Sequence, residues 1–306
     1  MRISMPILST SDGFNRGAFT IGDWLLFSSI SLIWGSSFLL MDIGLEALAP
    51  GAITWLRVAL GAAVLLPMAK RPIPRSDRPA ILLLSLTWVA IPFTLFPLAQ
   101  QHINSAVTGM LNGAMPLFAA SFASVMLRRL PGPAQLAGLV VGFTGVVAIS
   151  LPEAGSSRLV GVALALAATI CYGLAVNVAA PLQQRYGSVP VISRMLGWAS
   201  LWTAPLGLTG LQSSRFEWGP VLAVSVAGLV GTGLAFVLMA TLVGRVGSTR
   251  ASFITYLIPV VALFLGVTLR GDEVTPVALL GVVLVVAGAL AASRPERQLA
   301  AARSDR

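Results

Sequence analysis

Residues 79 to 127 read PAILLLSLTWVAIPFTLFPLAQQHINSAVTGMLNGAMPLFAASFASVML, 49 positions without one Asp, Glu, Lys or Arg. As a single helix this stretch would be more than twice as long as the roughly 30 Å hydrocarbon core of a bilayer is thick. It must fold back once. Gln100, Gln101, His102, Asn104 and Ser105 supply the turn, because backbone leaving a helix needs water or polar partners. The same reasoning along the chain gives spans near 23–42, 50–69, 79–99, 105–127, 134–151, 159–182, 188–209, 219–242, 249–269 and 276–293. The expected fold is therefore all-α, a polytopic membrane protein of ten transmembrane helices. No segment alternates apolar and polar residues as a membrane barrel does.

Composition points the same way. Of 306 residues, 56% are hydrophobic and only 10% charged, against roughly 25% charged in soluble domains, which excludes a water-soluble globule. Lys+Arg 20 against Asp+Glu 11 leaves a net charge of +9, and in a soluble chain that would suggest nucleic acid. Here the positions of the charges matter more. Loops on the N-terminal side carry fifteen basic residues: Arg2, Arg16, Lys70, Arg71, Arg75, Arg78, Arg128, Arg129, Arg185, Arg245, Arg250, Arg294, Arg297, Arg303 and Arg306. The other side carries three, Arg158, Arg215 and Arg270. Positive charge marks the cytoplasmic side, so both termini are expected there and nucleic-acid binding is the poorer explanation. Residues 1–21 contain no apolar core of signal-peptide length and read as a cytoplasmic tail, as do residues 294–306. Cys171 is the lone cysteine, so no intramolecular disulfide or cysteine metal cluster is expected. No cofactor is expected either.

The chain repeats itself. A shift of 143 residues aligns Ser105 to Ala148 with Ser248 to Ala291 without a gap, matching Pro116 with Pro259, Pro133 with Pro276, Leu136 with Leu279, Gly138 with Gly281 and Gly145 with Gly288. Nearer the start of each half the shift is 138, pairing Trp34-Gly35 with Tyr172-Gly173 and Pro67 with Pro205. Arg57 and Arg194 match within one residue. Each half, 22–151 and 158–293, thus holds five spans. Because five is odd, the second half enters from the opposite face, and the halves form an inverted repeat of the kind found in transporters.

Ten spans in two halves, Trp34-Gly35-Ser36-Ser37-Phe38 in the first span, Arg57 in the second and the paired prolines of the fourth and ninth resemble the drug/metabolite transporter superfamily, specifically its EamA-type exporters. The resemblance covers residues 22 to 293. It implies a small-metabolite carrier, often an exporter, in a bacterial inner membrane. It also implies a central cavity lined by the first, third, fourth, sixth, eighth and ninth helices, which brings in Thr94, Gln100 and Thr232. The family's short acidic motif before the last helix of each half stands here as Gly271-Asp272-Glu273, whereas its counterpart in the first half is the basic Arg128-Arg129.

Several residues could carry chemistry. Proline frees the carbonyl four residues earlier, so Pro116 releases that of Asn112 and Pro259 that of Thr255. Both prolines fall near mid-bilayer, about 15 to 16 Å from a span end. Freed backbone at that depth is tolerated facing protein or a hydrated cavity, which makes Asn112, Thr255 and Tyr256 candidates for a substrate site; a kink re-satisfied by a neighbouring hydroxyl is the alternative. Trp34 lies about 16 Å deep, away from the interface where tryptophan anchors. Its buried indole needs an acceptor, and Ser36, Ser37, Tyr172 and Asn177 are suitable company. The group reads either as cavity wall or as small-residue helix packing with the serines bonded to their own helix. Arg57 and Arg194 need partners or a route to the headgroups. Snorkelling or bonding between helices is the favoured reading, and attraction of an anionic substrate group is the other. Gly138, Gly142 and Gly145 share a helical face that recurs at Gly281 and Gly288, a close-packing seam.

No carboxylate sits at a span centre, which favours neutral, zwitterionic or anionic solutes over cations. A proton relay is not visible within the spans, although Asp42 or His102 could couple protons at the outer rim. There is no Walker A sequence, and the sole lysine is Lys70, so ATP is not the direct energy source. The expected function is a secondary transporter, an exporter of small metabolites such as amino acids, working by alternating access in the lipid bilayer. The alternatives are a lipid flippase or scramblase and an intramembrane lipid-modifying enzyme. The enzyme is disfavoured by one Cys, one His and no HExxH or GxSxG.

Overall fold

The computed structural model of the chain describes residues 19–69, 72–126, 128, 131–153 and 156–292. Lys70, Arg71, Arg129 and the tail residues Arg2, Arg16, Arg294, Arg297, Arg303 and Arg306, on which part of the charge argument rests, lie outside the described residues. Among the described residues all regular structure is helical and there is no strand. Seven helices are long and apolar enough to cross a membrane. They are α1 (Ile21–Leu45), α2 (Pro50–Met68), α3 (Arg75–Gln100), α4 (Ser105–Met126), α5 (Pro133–Ser150), α6 (Ser156–Tyr186) and, after the 25-residue α7 (Ser188–Gln212), α8 (Trp218–Val246). Two apolar helices are shorter, α9 (Ile254–Arg270), which a single turn Ser248–Ala251 precedes, and α10 (Pro276–Ala292).

Local sequence sets the helix ends. Thr20 and Asp23 open α1 with a reciprocal capping box, Asp23 N–H donating to Thr20 Oγ1 at 3.2 Å and Thr20 N–H to Asp23 Oδ2 at 2.9 Å. Asn104 caps α4 through its side-chain oxygen, which accepts from Val107 N–H at 2.8 Å. Pro50 and Pro133 stand in the first turn of α2 and α5, where a missing N–H has no consequence. Inside the helices, hydroxyls that would otherwise lack partners in lipid bond the carbonyl one turn back, as Ser31 does to Phe27, Thr94 to Ala90 and Thr203 to Ala199.

Among the described residues three of these helices contain a π-helical turn. Ser85–Ala90 of α3 and Leu229–Leu234 of α8 are π-helical turns, 144 residues apart and so within one residue of the 143-residue sequence register. A third lies at Gly266–Arg270 in α9. Pro259 sits inside unbroken helix, whereas α4 is interrupted between Asn112 and Met115, just before Pro116. Glycine there admits a close crossing, since a Cβ on Gly113 would stand 2.9 Å from Pro259 Cγ.

Packing joins α1 to α8 and α9, α6 to α3 and α4, α2 to α7 and α8, and α5 to α10. The expected glycine seam is present. A Cβ on Gly138 would lie 2.5 Å from Ala292 N and 2.7 Å from Gly288 O, and one on Gly145 would lie 2.6 Å from Gly281 O. Without side chains at these points the backbones of α5 and α10 come into direct contact. Gly35 and Gly173, 138 residues apart, play matching parts, the first against Val261 of α9 and the second against Phe118 of α4.

Candidate functional site

Arg57 is the centre of the most unusual arrangement in the interior. It is only 7% exposed, and its guanidinium donates to three neutral groups, from Nε to Thr232 Oγ1 at 3.2 Å, from Nη1 to Met41 Sδ at 3.3 Å and from Nη2 to Ser37 Oγ at 3.3 Å. Its carbon lies 4.2 Å from the centroid of the Phe93 ring, a cation–π contact. Thr54 ties α2 to the Phe93 backbone by donating from Oγ1 to its carbonyl at 2.8 Å. Among the described residues no carboxylate pairs with Arg57. The snorkelling route to the headgroups is not taken, because α1, α3 and α8 enclose the side chain on its own level and offer partners there. Three contacts leave part of the five-donor fork unused.

Helix architecture assembles this group. Trp34, Ser37 and Met41 recur at helical spacing on one side of α1, facing α2 and α8. Thr232 lies in the π-helical turn of α8, where its hydroxyl also donates to Ala227 O at 3.1 Å. Trp34 Nε1 donates to the Gly231 carbonyl in the same turn at 3.1 Å, so the indole's acceptor is neighbouring backbone and not Ser36, Ser37, Tyr172 or Asn177. A π-turn pairs each N–H with the carbonyl five residues back, which moves carbonyls out of the ordinary ladder and within reach of such a donor. Trp34 also meets Phe236 edge-on at 5.7 Å, and Phe236 meets Trp88 at 6.3 Å. Ser36 and Ser37 both donate to Ile33 O.

A second polar group lies towards α3 and α4. Gln100 is buried and donates from Nε2 to the Phe38 carbonyl at 2.9 Å, while its Oε1 has no partner among the described residues. Asn112, at the interruption of α4, is buried with Oδ1 equally unpartnered. Both are acceptors left over in a low-dielectric interior, where an unmet hydrogen bond costs on the order of 1–3 kcal/mol. Phe38, Phe96 and Tyr172 form an aromatic row, with successive ring centroids 5.4 and 5.7 Å apart.

The remaining sequence candidates are placed elsewhere. Asn177 spans α6 and α4, donating to Ala119 O at 3.0 Å and Gly173 O at 2.9 Å. Thr94 is bonded within α3. Thr255 donates to Ser252 O at 2.7 Å, and the buried Tyr256 donates from its hydroxyl to Ala289 O of α10 at 3.2 Å, so neither joins the Arg57 group. Arg194, which the sequence register sets within one residue of Arg57, is partly exposed and donates to Pro190 O of its own helix at 3.3 Å. Asp42 is ion-paired with Arg270, and His102 is exposed in the turn after α3. Sequence reasoning missed Met41 and Phe93; the spacing of Met41, four residues beyond Ser37, was the available signal for the first.

The helices and the buried polar groups between them define a helical membrane transport protein. The chain belongs to the EamA-like transporter family, whose description matches residues 20–151 and again 159–294. It is similar to a probable terminal-alkyne amino-acid exporter of Streptantibioticus cattleyicolor, 26% identical over 279 residues that cover 89% of this chain and 93% of that protein. It is also similar to a probable amino-acid metabolite efflux pump of Escherichia coli, 25% identical over 285 residues covering 87% and 93%. One solved crystal structure shares the fold with a TM-score of 0.59 at 20% identity, over 93% of this chain and 99% of that one. Membership of this family makes transport of a small molecule across a membrane the general activity.

Proposed function

We propose that the chain exports small zwitterionic or anionic metabolites, amino acids or close relatives of them, by alternating access between two inverted halves, 22–151 and 158–293, of five spans each. Both termini are cytoplasmic in this reading, and the membrane is a bacterial inner membrane. The observation that carries the substrate class is Arg57, a buried cation held by neutral partners only. Burying an unpaired charge costs several kcal/mol, a cost that a bound carboxylate offsets. Trp34, Ser37 and Thr232 beside it, with Tyr172, Gln100 and Asn112, would contact the rest of the solute. The leftover acceptors on Gln100 and Asn112 suit the ammonium of an amino acid. Thr94, Asn177, Thr255, Tyr256 and Arg194, bonded to backbone carbonyls elsewhere, do not contact the solute in this reading.

Several features support the inverted relation. The helix contacts map onto themselves when the first five helices are exchanged with the second five: α1 on α9 becomes α6 on α4, and α1 on α8 becomes α6 on α3. The π-turns of α3 and α8 fall at matching positions, as do Arg128 and Gly271, two of the four described residues with positive φ. Two similar proteins carry names of amino-acid export.

The test is counterflow in liposomes. Purified protein should exchange a labelled amino acid or small organic acid, and a solute that is exchanged should also raise the apparent melting temperature, since a ligand of the folded state stabilises it. Failure of every zwitterionic and anionic solute, with exchange of a cation, would overturn the substrate class. A lipid flippase has one observation in its favour, an apolar groove of about 290 Å³ along Leu32, Ser36, Leu40, Val230 and Gly231 that borders the carbonyl bonded to Trp34. Movement of labelled phospholipid without solute exchange would favour it.

A further inference from the structure

We propose that Arg270 and Asp272 form a one-sided clasp with Asp42, Glu46 and Ser105 that holds the carrier shut on the face away from its termini, so that at rest it loads from the cytoplasmic side. The inference rests on the carrier reading above.

The clasp spans four residues of chain. Arg270 closes α9 and donates from Nε to Asp42 Oδ2 at 2.5 Å and from Nη1 to Glu46 Oε1 at 2.6 Å, both at the end of α1. Two residues on, Asp272 Oδ2 accepts from Ser105 Oγ at 2.7 Å and from Ala106 N–H at 2.9 Å, a carboxylate on the first turn of α4. Asn104 Nδ2 donates to the Glu273 carbonyl at 3.1 Å. Gly271 makes this possible. Its φ of +68° reverses the chain so that successive charged side chains reach different helices. Gly266 makes room as well, since a Cβ there would stand 2.5 Å from Asp272 Oδ2. One short segment therefore ties α9 to α1 and to α4.

Packing beneath the clasp differs from packing at the other face. All eight residues of Ser105–Asn112, the half of α4 next to the clasp, are buried, and this half packs on α9. In the other half, Met115–Met126, only Pro116 and Leu117 are buried, and that half packs on α6. The turn Ser248–Ala251, which the repeat makes equivalent to the buried start of α4, packs on the end of α8 instead, and Phe253, Val125 and Met126 are exposed.

The sequence explains why closure is one-sided. The 143-residue register sets Leu127 opposite Arg270 and Arg129 opposite Asp272, and the 138-residue register sets Ala180 opposite Asp42 and Gln184 opposite Glu46. At the equivalent positions the second face has neither the cation nor its two acids, and a basic residue is the wrong charge for a helix N-terminus. The ion pairs described on that face, Arg245 with Asp23 at 2.7 Å and Arg185 with Asp77 at 3.7 Å, join other helix ends, α8 to α1 and α6 to α3. A single exposed ion pair contributes little. Here one guanidinium engages two carboxylates, and a capping carboxylate two residues away holds the same segment, so the contacts share one ordering cost. In an inverted repeat a difference of this kind between the two faces biases the population towards closure on one of them.

The test uses the full chain with Cys171→Ala in sealed vesicles of known orientation and a membrane-impermeant maleimide. Single cysteines report each face, Thr108→Cys in the closed half of α4 and Ser121→Cys in the open half. Ser121→Cys should react readily from the cytoplasmic side, and Thr108→Cys should resist reagent from the external side. Arg270→Ala, and separately Asp42→Asn with Glu46→Gln, should raise the external labelling rate of Thr108→Cys tenfold or more. The milder Asp272→Asn should move it in the same direction. Exchanging the charges, Arg270→Glu with Glu46→Arg, should restore part of the protection. An external rate that stays the same in all these variants would overturn the clasp. Absence of solute counterflow in the parent, with the Thr108→Cys response intact, would instead overturn the carrier reading and leave the closure standing.

Discussion

Arg57 separates a structural from a functional arginine in a measurable way. Its partners do not depend on it: Ser37 still donates to Ile33 O and Thr232 to Ala227 O when the guanidinium is gone. Replacing a buried ion by an apolar side chain of similar size is often neutral or stabilising. Arg57→Met should therefore leave the melting temperature in detergent within a few degrees of the parent or above it. Exchange of an anionic or zwitterionic solute should fall at least tenfold, as expected when about 1.4 kcal/mol or more of binding is lost. Parent-level exchange by Arg57→Met would remove the arginine from the substrate site. Much of this group was legible beforehand, because a tryptophan at mid-depth and an arginine within a span are both out of place on physical grounds. The indole's partner was not. Gly231 offers only a carbonyl, and its availability depends on a π-turn that leaves no mark in the hydropathy pattern. Gln100 was placed at the end of its span, but the Phe38 carbonyl it holds belongs to a helix 62 residues away, a pairing no spacing rule predicts.

At the level of helices, the seam between α5 and α10 is the element most exposed to a single substitution. Gly145 meets the Gly281 carbonyl and Val285 N, so any added side chain must push backbone aside. Overpacking of this kind costs roughly 1–3 kcal/mol or more. Gly145→Leu should lower the melting temperature by several degrees, while Gly219→Ala, with nothing within 4 Å of the added carbon, should leave it unchanged. Equal melting of the two variants would mean that the seam adds nothing to stability. This seam was readable from sequence because glycines at helical spacing recur in both halves. The clasp was not readable. Gly271-Asp272-Glu273 stood out as a motif, but its acid caps α4, and Arg270 looked like an ordinary loop charge until α9 brought it to the end of α1. Long-range pairing between helix ends depends on how the helices cross, and crossing is set by packing of the whole set.

For the whole molecule, the inverted relation proposed for the two halves makes a demand that neither half makes alone, namely that equivalent residues lie on opposite sides of the membrane. Gln101 and Gly244 are such a pair, 143 residues apart, one beyond the end of α3 and the other near the end of α8. Both are exposed, and nothing lies within 4 Å of a carbon added to Gly244, so cysteine is tolerated at each. The loop charges predict which side each will face. Arg245 and Arg250 follow Gly244 closely, whereas no Lys or Arg lies between Arg78 and Arg128 around Gln101. In a Cys171→Ala background, Gln101→Cys should react only with impermeant reagent added outside, and Gly244→Cys only with reagent admitted to the cytoplasmic side. If both reacted from one side, the two halves would run in the same sense. Access could not then alternate by exchanging their conformations, and a single buried cation at Arg57 would have to be reached by a different motion.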